Sequence, residues 1–230
     1  IIHAEDANFV NNRNDIDISW YHSFNTTTNA EIKNKCFFKR CNFETNAPLA
    51  NPGAVDEMIR DMQLHLLYTD KHIHLWNVNG VSIEGCTFKT DLPAIAGKKP
   101  NYSKGIEAFD ASFTCTVSGA TRNSFSNLQY GILNGSYNGS CDPNQYNTLN
   151  APIAKIDRSD FVNCMRGIQL DGTILTNINR CNFEINTQYG NSFYTNHNFG
   201  DNYLPLYGDI AKTPVGIYTN AAIAYSIKDN

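Results

Sequence analysis

Ile156-Asp157-Arg158-Ser159-Asp160-Phe161 returns 22 residues later as Ile178-Asn179-Arg180-Cys181-Asn182-Phe183. The two share one pattern: an apolar residue, any residue, a polar or Gly turn-former, a small residue, any residue, then Phe. Phe38 to Phe43, Ile83 to Phe88 and Ala120 to Phe125 repeat it, and Ala4 to Phe9 is a looser copy. A fixed phrase at such a period marks stacked supersecondary units. One unit is too small to bury its own apolar face, so it is stable only against the next.

A second phrase follows at constant distance. Phe125-Ser126-Asn127-Leu128-Gln129-Tyr130-Gly131-Ile132 aligns with Phe161-Val162-Asn163-Cys164-Met165-Arg166-Gly167-Ile168. The start of the chain offers Phe9 to Ile16, with Asp15 where the others have Gly, and the Gly-Ile step recurs at Gly105-Ile106 and Gly216-Ile217. Alternation in Cys181-x-Phe183 or Ile168-x-Leu170 turns one set of side chains inward over a short strand. Asn and Gly between strands tolerate the left-handed backbone of a tight corner. The expectation is an all-β chain, a right-handed parallel β-helix whose Ile, Phe and Cys columns fill the interior. A leucine-rich repeat would need a Leu pattern and a helical half, and a β-sandwich would lack the fixed phrase.

Four segments break the period: 44–71, 89–104, 134–152 and 186–214. The first holds the one predicted helix, Val55 to Met62, with apolar residues at helical spacing. In a solenoid, insertions leave from the corners, and binding usually resides on them.

Totals narrow the function classes. A net charge of -4 gives no electrostatic footprint for nucleic acid or an anionic membrane. No apolar run is long enough to span a bilayer as a helix. The chain opens on Ile1-Ile2 and closes in what looks like another repeat, so it reads as part of a larger chain or assembly. Seven cysteines are an odd number, and no Cys-x-x-Cys occurs. Cys41, Cys86 and Cys181 take the fourth hexad place, which reads as a ladder of buried thiols. Disulfides between stacked neighbours are also sterically allowed.

The string His74 to Phe88, with Gly105 to Ala111 and Tyr130-Gly131-Ile132, resembles the β-helix repeats of large secreted proteins from the Bacteroidota. Such proteins are often exported by the type IX system and mostly lack an assigned activity. The resemblance implies a secreted or cell-surface location. It says little about activity, because fold does not fix function.

Asp110, Asp157, Asp160 and Asp171 are the acids available for polysaccharide chemistry, but Asp157 and Asp160 occupy outward places where a solvated residue is the rule. Arg40, Arg122, Arg158 and Arg180 recur at the third hexad place, beside Asp6 and Gly85. They read as corner residues that cover apolar surface and bond neighbouring carbonyls, rather than as a basic strip. His72 and His74 alternate, so they are expected on one outward strand face, without a third metal ligand. The richest candidate binding segment is 186–214, with Tyr189, Phe193, Tyr194, His197, Tyr203 and Tyr207 among Asn, Gly and Asp. Its rings either pack back on the coil or hold a sugar ring or a partner protein.

The expected function is therefore a non-catalytic stalk or adhesive surface, with loops contacting glycans or other surface or secretion proteins. No catalytic residue, metal or cofactor is assigned. The rival is a β-helix lyase or glycoside hydrolase acting on an acidic polysaccharide.

Overall fold

A computed structural model describes residues 1–20, 23–47, 71–91, 103–136, 153–173, 175–184, 215–220, 222 and 225–229. The predicted helix at Val55 to Met62 lies outside them, as do most residues of the four insertions.

The described strands wind as coils. The first coil is β1 (His3–Glu5), β2 (Asn8–Val10) and β3 (Asn14–Ser19), followed by a small hairpin of β4 (Ser23–Phe24) and β5 (Glu31–Ile32). The second is β6 (Cys36–Lys39), β7 (Asn42–Thr45) and β8 (Lys71–Trp76). The third is β9 (Asn79–Glu84), β10 (Thr87–Thr90) and β11 (Lys104–Phe109). The fourth is β12 (Ser112–Thr116), β13 (Asn123–Ser126) and β14 (Tyr130–Gly135). The fifth is β15 (Ala154–Asp157), β16 (Ser159–Val162) and β17 (Arg166–Asp171). The sixth is β18 (Thr176–Asn179), β19 (Asn182–Glu184) and β20 (Val215–Asn220), and β21 (Ser226–Lys228) starts a seventh.

Corresponding strands pair in parallel, giving one seven-stranded sheet and two six-stranded sheets in coil order. We call them the first, second and third sheets. The chain is a parallel β-helix, as its repeats predicted. The insertions at 44–71, 89–104 and 186–214 all join the second sheet to the third, and 134–152 joins the third to the first.

The hexad explains the geometry. Its first residue points inward from the first sheet, where Phe38, Ile83, Ile156 and Ile178 are buried. Its third residue turns the corner with positive φ at Asp6, Arg40, Gly85, Arg158 and Arg180. Its final Phe builds a column along the second sheet through Phe9, Phe43, Phe88, Phe125, Phe161 and Phe183. Successive rings are 4.7, 4.8, 4.7, 4.8 and 5.0 Å apart and within 8° of parallel. That spacing is close to the inter-strand distance of about 4.8 Å, so the rings keep step with the hydrogen-bond ladder.

The Gly-Ile step is the counterpart of this column. A Cβ on Gly105, Gly131 or Gly167 would lie 2.7, 2.5 or 2.6 Å from the ring of Phe125, Phe161 or Phe183 in the next coil. Glycine is needed there because the Phe edge and the carbonyl of the next glycine, 2.5, 2.6 and 2.5 Å from the three Cβ positions, fill the space of a side chain.

One copy of the phrase is out of register. In the fourth coil the place of Ile83 is taken by Cys115, not Ala120. A turn at Ser118–Thr121 enlarges that corner, and Gly85 beneath it has no room for a side chain, its Cβ position being 2.8 Å from Ser118. Asn123 compensates from the interior. Its amide donates to Thr116 O at 2.9 Å and its Oδ1 accepts from Cys86 N at 2.8 Å.

The six described cysteines are buried and free of disulfides. Their thiols donate across coils: Cys41 to Ala4 O, Cys86 to Phe38 O and Cys181 to Ile156 O. Burial pushes the Cys86 and Cys164 thiols up to about 12, so neither offers a thiolate for chemistry.

Candidate functional site

The corner residues neutralise one another. Arg40 bonds Glu5 and Asp6 at 2.7 and 2.6 Å, and Arg158 and Arg180 both hold Asp157, at 2.9 and 2.7 Å. Arg122, displaced from the third hexad place by the enlarged corner, bonds Asp160 and the Arg180 carbonyl. The contacts go to carboxylates more than to the expected carbonyls, and they consume Asp157 and Asp160 structurally. Burial raises the Asp157 carboxyl, but Arg158 and Arg180 outweigh it and hold it below the usual range.

His72 and His74 do not share a face. Both His72 and Ile73 are buried, because β8 enters the third sheet from a corner that turns two successive side chains inward. The same double burial occurs at Gly105-Ile106, Gly131-Ile132 and Gly167-Ile168. His72 therefore stands in the glycine column, beside Phe43 and Phe88 at 6.2 Å. Its Nδ1 lies 2.6 Å from Asp15 Oδ2, and both side chains are 0% exposed.

His74 faces outward in a polar cluster on the third sheet. The register places Asp17, His74 and Glu107 side by side on the first three coils. His74 Nδ1 lies 3.3 Å from Asp17, and its Nε2 lies 3.7 Å from Glu107. Lys71 and Lys104 reach the two oxygens of Glu107 at 2.7 and 3.0 Å. Burial raises the Glu107 carboxyl, yet the two lysines more than offset it and hold it below the ordinary range. Asp17 is likewise lowered, burial being outweighed by Ser19 and His74. Two ionised carboxylates supply no proton donor for glycosidic cleavage, which needs one carboxyl raised. Among the described residues no group of three His, Cys, Asp or Glu could hold a metal ion.

This cluster carries a pH dependence with a definite sign. A carboxyl depressed in the folded state stabilises the fold above its unfolded value and loses that contribution as pH falls through the folded one. Glu107→Gln is expected to flatten the acid limb of a melting-temperature profile below about pH 4.5. An unchanged limb would place the acid sensitivity elsewhere.

A groove of about 630 Å³ crosses the outer face of the first sheet over the second to fifth coils. One wall is the arm after the hairpin, Lys33-Asn34-Lys35. It is pressed on the third coil by an Asn34 N to Asn79 O bond of 2.6 Å. Gly80, with φ +88, permits this approach, since a Cβ there would sit 2.8 Å from Lys33 Cβ. The opposite wall is Ile153 and Lys155, tied to the fourth coil by Ile153 N to Ser112 Oγ at 2.9 Å. The floor offers Phe37, Ser82 and Thr114, the two hydroxyls 3.4 Å apart. Lys39 pairs with Glu5 at 3.0 Å. Lys33, Lys35 and Lys155 are exposed and have no carboxylate partner among the described residues.

Tyr189, Phe193, Tyr194, His197, Tyr203 and Tyr207 lie outside the described residues. Sequence reasoning missed the groove. Its available signals were Gly80 in mid-strand, a mark of close backbone approach, and the paired lysines of Lys33-Asn34-Lys35. Among the described residues no helix is long and apolar enough to cross a membrane. Comparison of the chain with protein-family models, with curated proteins and with solved structures finds no match.

Proposed function

We propose that this β-helix is a non-catalytic binding segment of a secreted or cell-surface protein, with an acidic polysaccharide lying in the groove of the first sheet. The observation that carries the reading is the set of three lysines, Lys33, Lys35 and Lys155, with no carboxylate partner among the described residues, which outnumber Glu84 in the lining of a groove on a chain of net charge -4. Elsewhere on the described coils most cations meet an acid, as at Arg40, Arg180 and Lys71. Lysine ammoniums supply point charges for uronate or sulfate groups, and Ser112, whose Oγ accepts from Ile153 N, has its hydroxyl proton left for a sugar oxygen. The resemblance to Bacteroidota β-helix repeats supports an extracellular setting and export by the type IX route.

Hydrolysis is the weaker reading, since Asp17 and Glu107, the carboxylates of the third-sheet cluster, stand on the first and third coils and are both held below the usual range. Isothermal titration with polygalacturonate, dextran sulfate and neutral dextran tests the proposal. Binding of an anionic polymer is expected to weaken steeply with salt. Lys33→Ala/Lys35→Ala/Lys155→Ala should reduce affinity at least tenfold, about 1.4 kcal/mol. Equal binding of neutral dextran, or an indifferent triple variant, would remove the groove as the site.

A further inference from the structure

We propose that Trp20 is the platform of a second sugar subsite, at the edge of the third sheet, taking the flat face of a neutral pyranose ring. The corner after the third-sheet strand takes a left-handed backbone in the first, second, third and fifth coils, while Ser136 makes the same ladder bond in the fourth without one. Asn77, Asp110 and Gly172 meet it with φ of 49, 49 and 64°, and each continues the ladder through its backbone N–H. Those residue types adopt that conformation readily. Trp20 holds the same place at φ 55° and donates to Trp76 O at 2.9 Å. For a bulky side chain this is a backbone outlier, and such strain collects where a site requires it.

Packing does not account for the choice, because Trp20 is 64% exposed. Its ring meets Trp76 of the second coil at 5.5 Å and 56°. That contact anchors the indole by one side and leaves most of its surface exposed. An aromatic face of this kind covers the apolar C–H face of a sugar. The neighbouring outward groups on β3 are Ser19 and Asp17, whose carboxylate is 53% exposed and accepts from Ser19 Oγ at 2.5 Å. A carboxylate there accepts hydroxyl hydrogen bonds and disfavours an anionic ring. The occupant is therefore neutral, unlike that of the lysine groove. The inference rests on the glycan reading for ligand class only and uses none of the groove residues.

The chain has two tryptophans, Trp20 and Trp76, so tryptophan emission reports this pair alone. The full chain is titrated with cellohexaose, mannohexaose and xylohexaose. At least one is expected to give a saturable change in emission. Trp20→Asn should weaken that binding at least tenfold when followed by calorimetry, while its unfolding midpoint equals or exceeds the parent's, because Asn suits the corner. The response should survive Lys33→Ala/Lys35→Ala/Lys155→Ala, which separates the two subsites. No saturable change with any of the three sugars would overturn the proposal. So would a lower midpoint for Trp20→Asn, which would make the indole a packing residue. A concentration-dependent emission change without sugar would overturn it too, by assigning Trp20 to contact between copies.

Discussion

Phe125→Ala is expected to destabilise the protein by about 4 kcal/mol, within the roughly 3–5 kcal/mol range for truncating a buried Phe. The ring is wholly buried, stacked on Phe88 at 4.7 Å and on Phe161 at 4.8 Å. Its edge also fills the space above Gly105, where a Cβ would lie 2.7 Å away. Collapse into the void is limited. The flanking rings belong to strands held in register by the ladder on both sides, so they cannot close the gap without breaking backbone bonds. Phe9→Ala supplies the comparison, since Phe9 is half-buried at the end of the column and stacks on Phe43 alone. It should cost about half as much. Urea unfolding of both variants measures the difference through the midpoints, which remain meaningful if a stacked array departs from two-state behaviour. Equal midpoints for the two variants would mean that the column is not the core's central support.

The same residues show how far the chain could be read from its sequence. Phe161 and Phe183 announced the period, and Gly131 and Gly167 announced a second fixed place, because a repeat imposes one environment on many positions. What periodicity leaves open is why a place demands its residue. Glycine before Ile looked like a corner requirement, yet Gly105, Gly131 and Gly167 are there for the Phe ring and the backbone carbonyl of the next coil, contacts between residues 16 or more apart. The Ala120 copy matched the pattern but not the register, because an enlarged corner slid the phrase along the chain while Phe125 stayed in its column.

Sites were less legible for a related reason. A repeat pattern reports what coils share, whereas binding features arise where one coil departs from the rest. Gly80 admits the Lys33 arm in a single coil, and Trp20 stands once where other corners have Asn77, Asp110, Ser136 or Gly172. Simple alternation predicts one face for His72 and His74. The double inward turn at the start of each third-sheet strand separates them, and only the buried pairs of the later coils reveal that turn. Departures of this kind need the register before they can be recognised as departures.

The departure at Asp15 and His72 leads to the second large effect. Asp15→Ala is expected to cost about 3 kcal/mol, the lower end for breaking a buried ionisable pair. The two side chains are fully buried and 2.6 Å apart, and His72 Nε2 has no hydrogen-bond partner among the described residues. Loss of Asp15 would leave both imidazole nitrogens unpaired against the rings of Phe43 and Phe88. His72→Ala should cost a similar amount, by stranding a buried carboxylate. The double variant leaves neither group unpaired, so it should be milder than the sum of the singles, with a coupling of about 2 kcal/mol. Chemical denaturation of the three variants gives that coupling directly, and additivity to within about 0.5 kcal/mol would show that the two groups act independently. A large coupling has a structural meaning beyond stability. The later coils use glycine at this place, against which any coil with a Phe can stack. Asp15 and His72 accept only each other, so the pair ties the first coil to the second in one register, a specificity that the apolar columns of a repeat cannot provide for themselves.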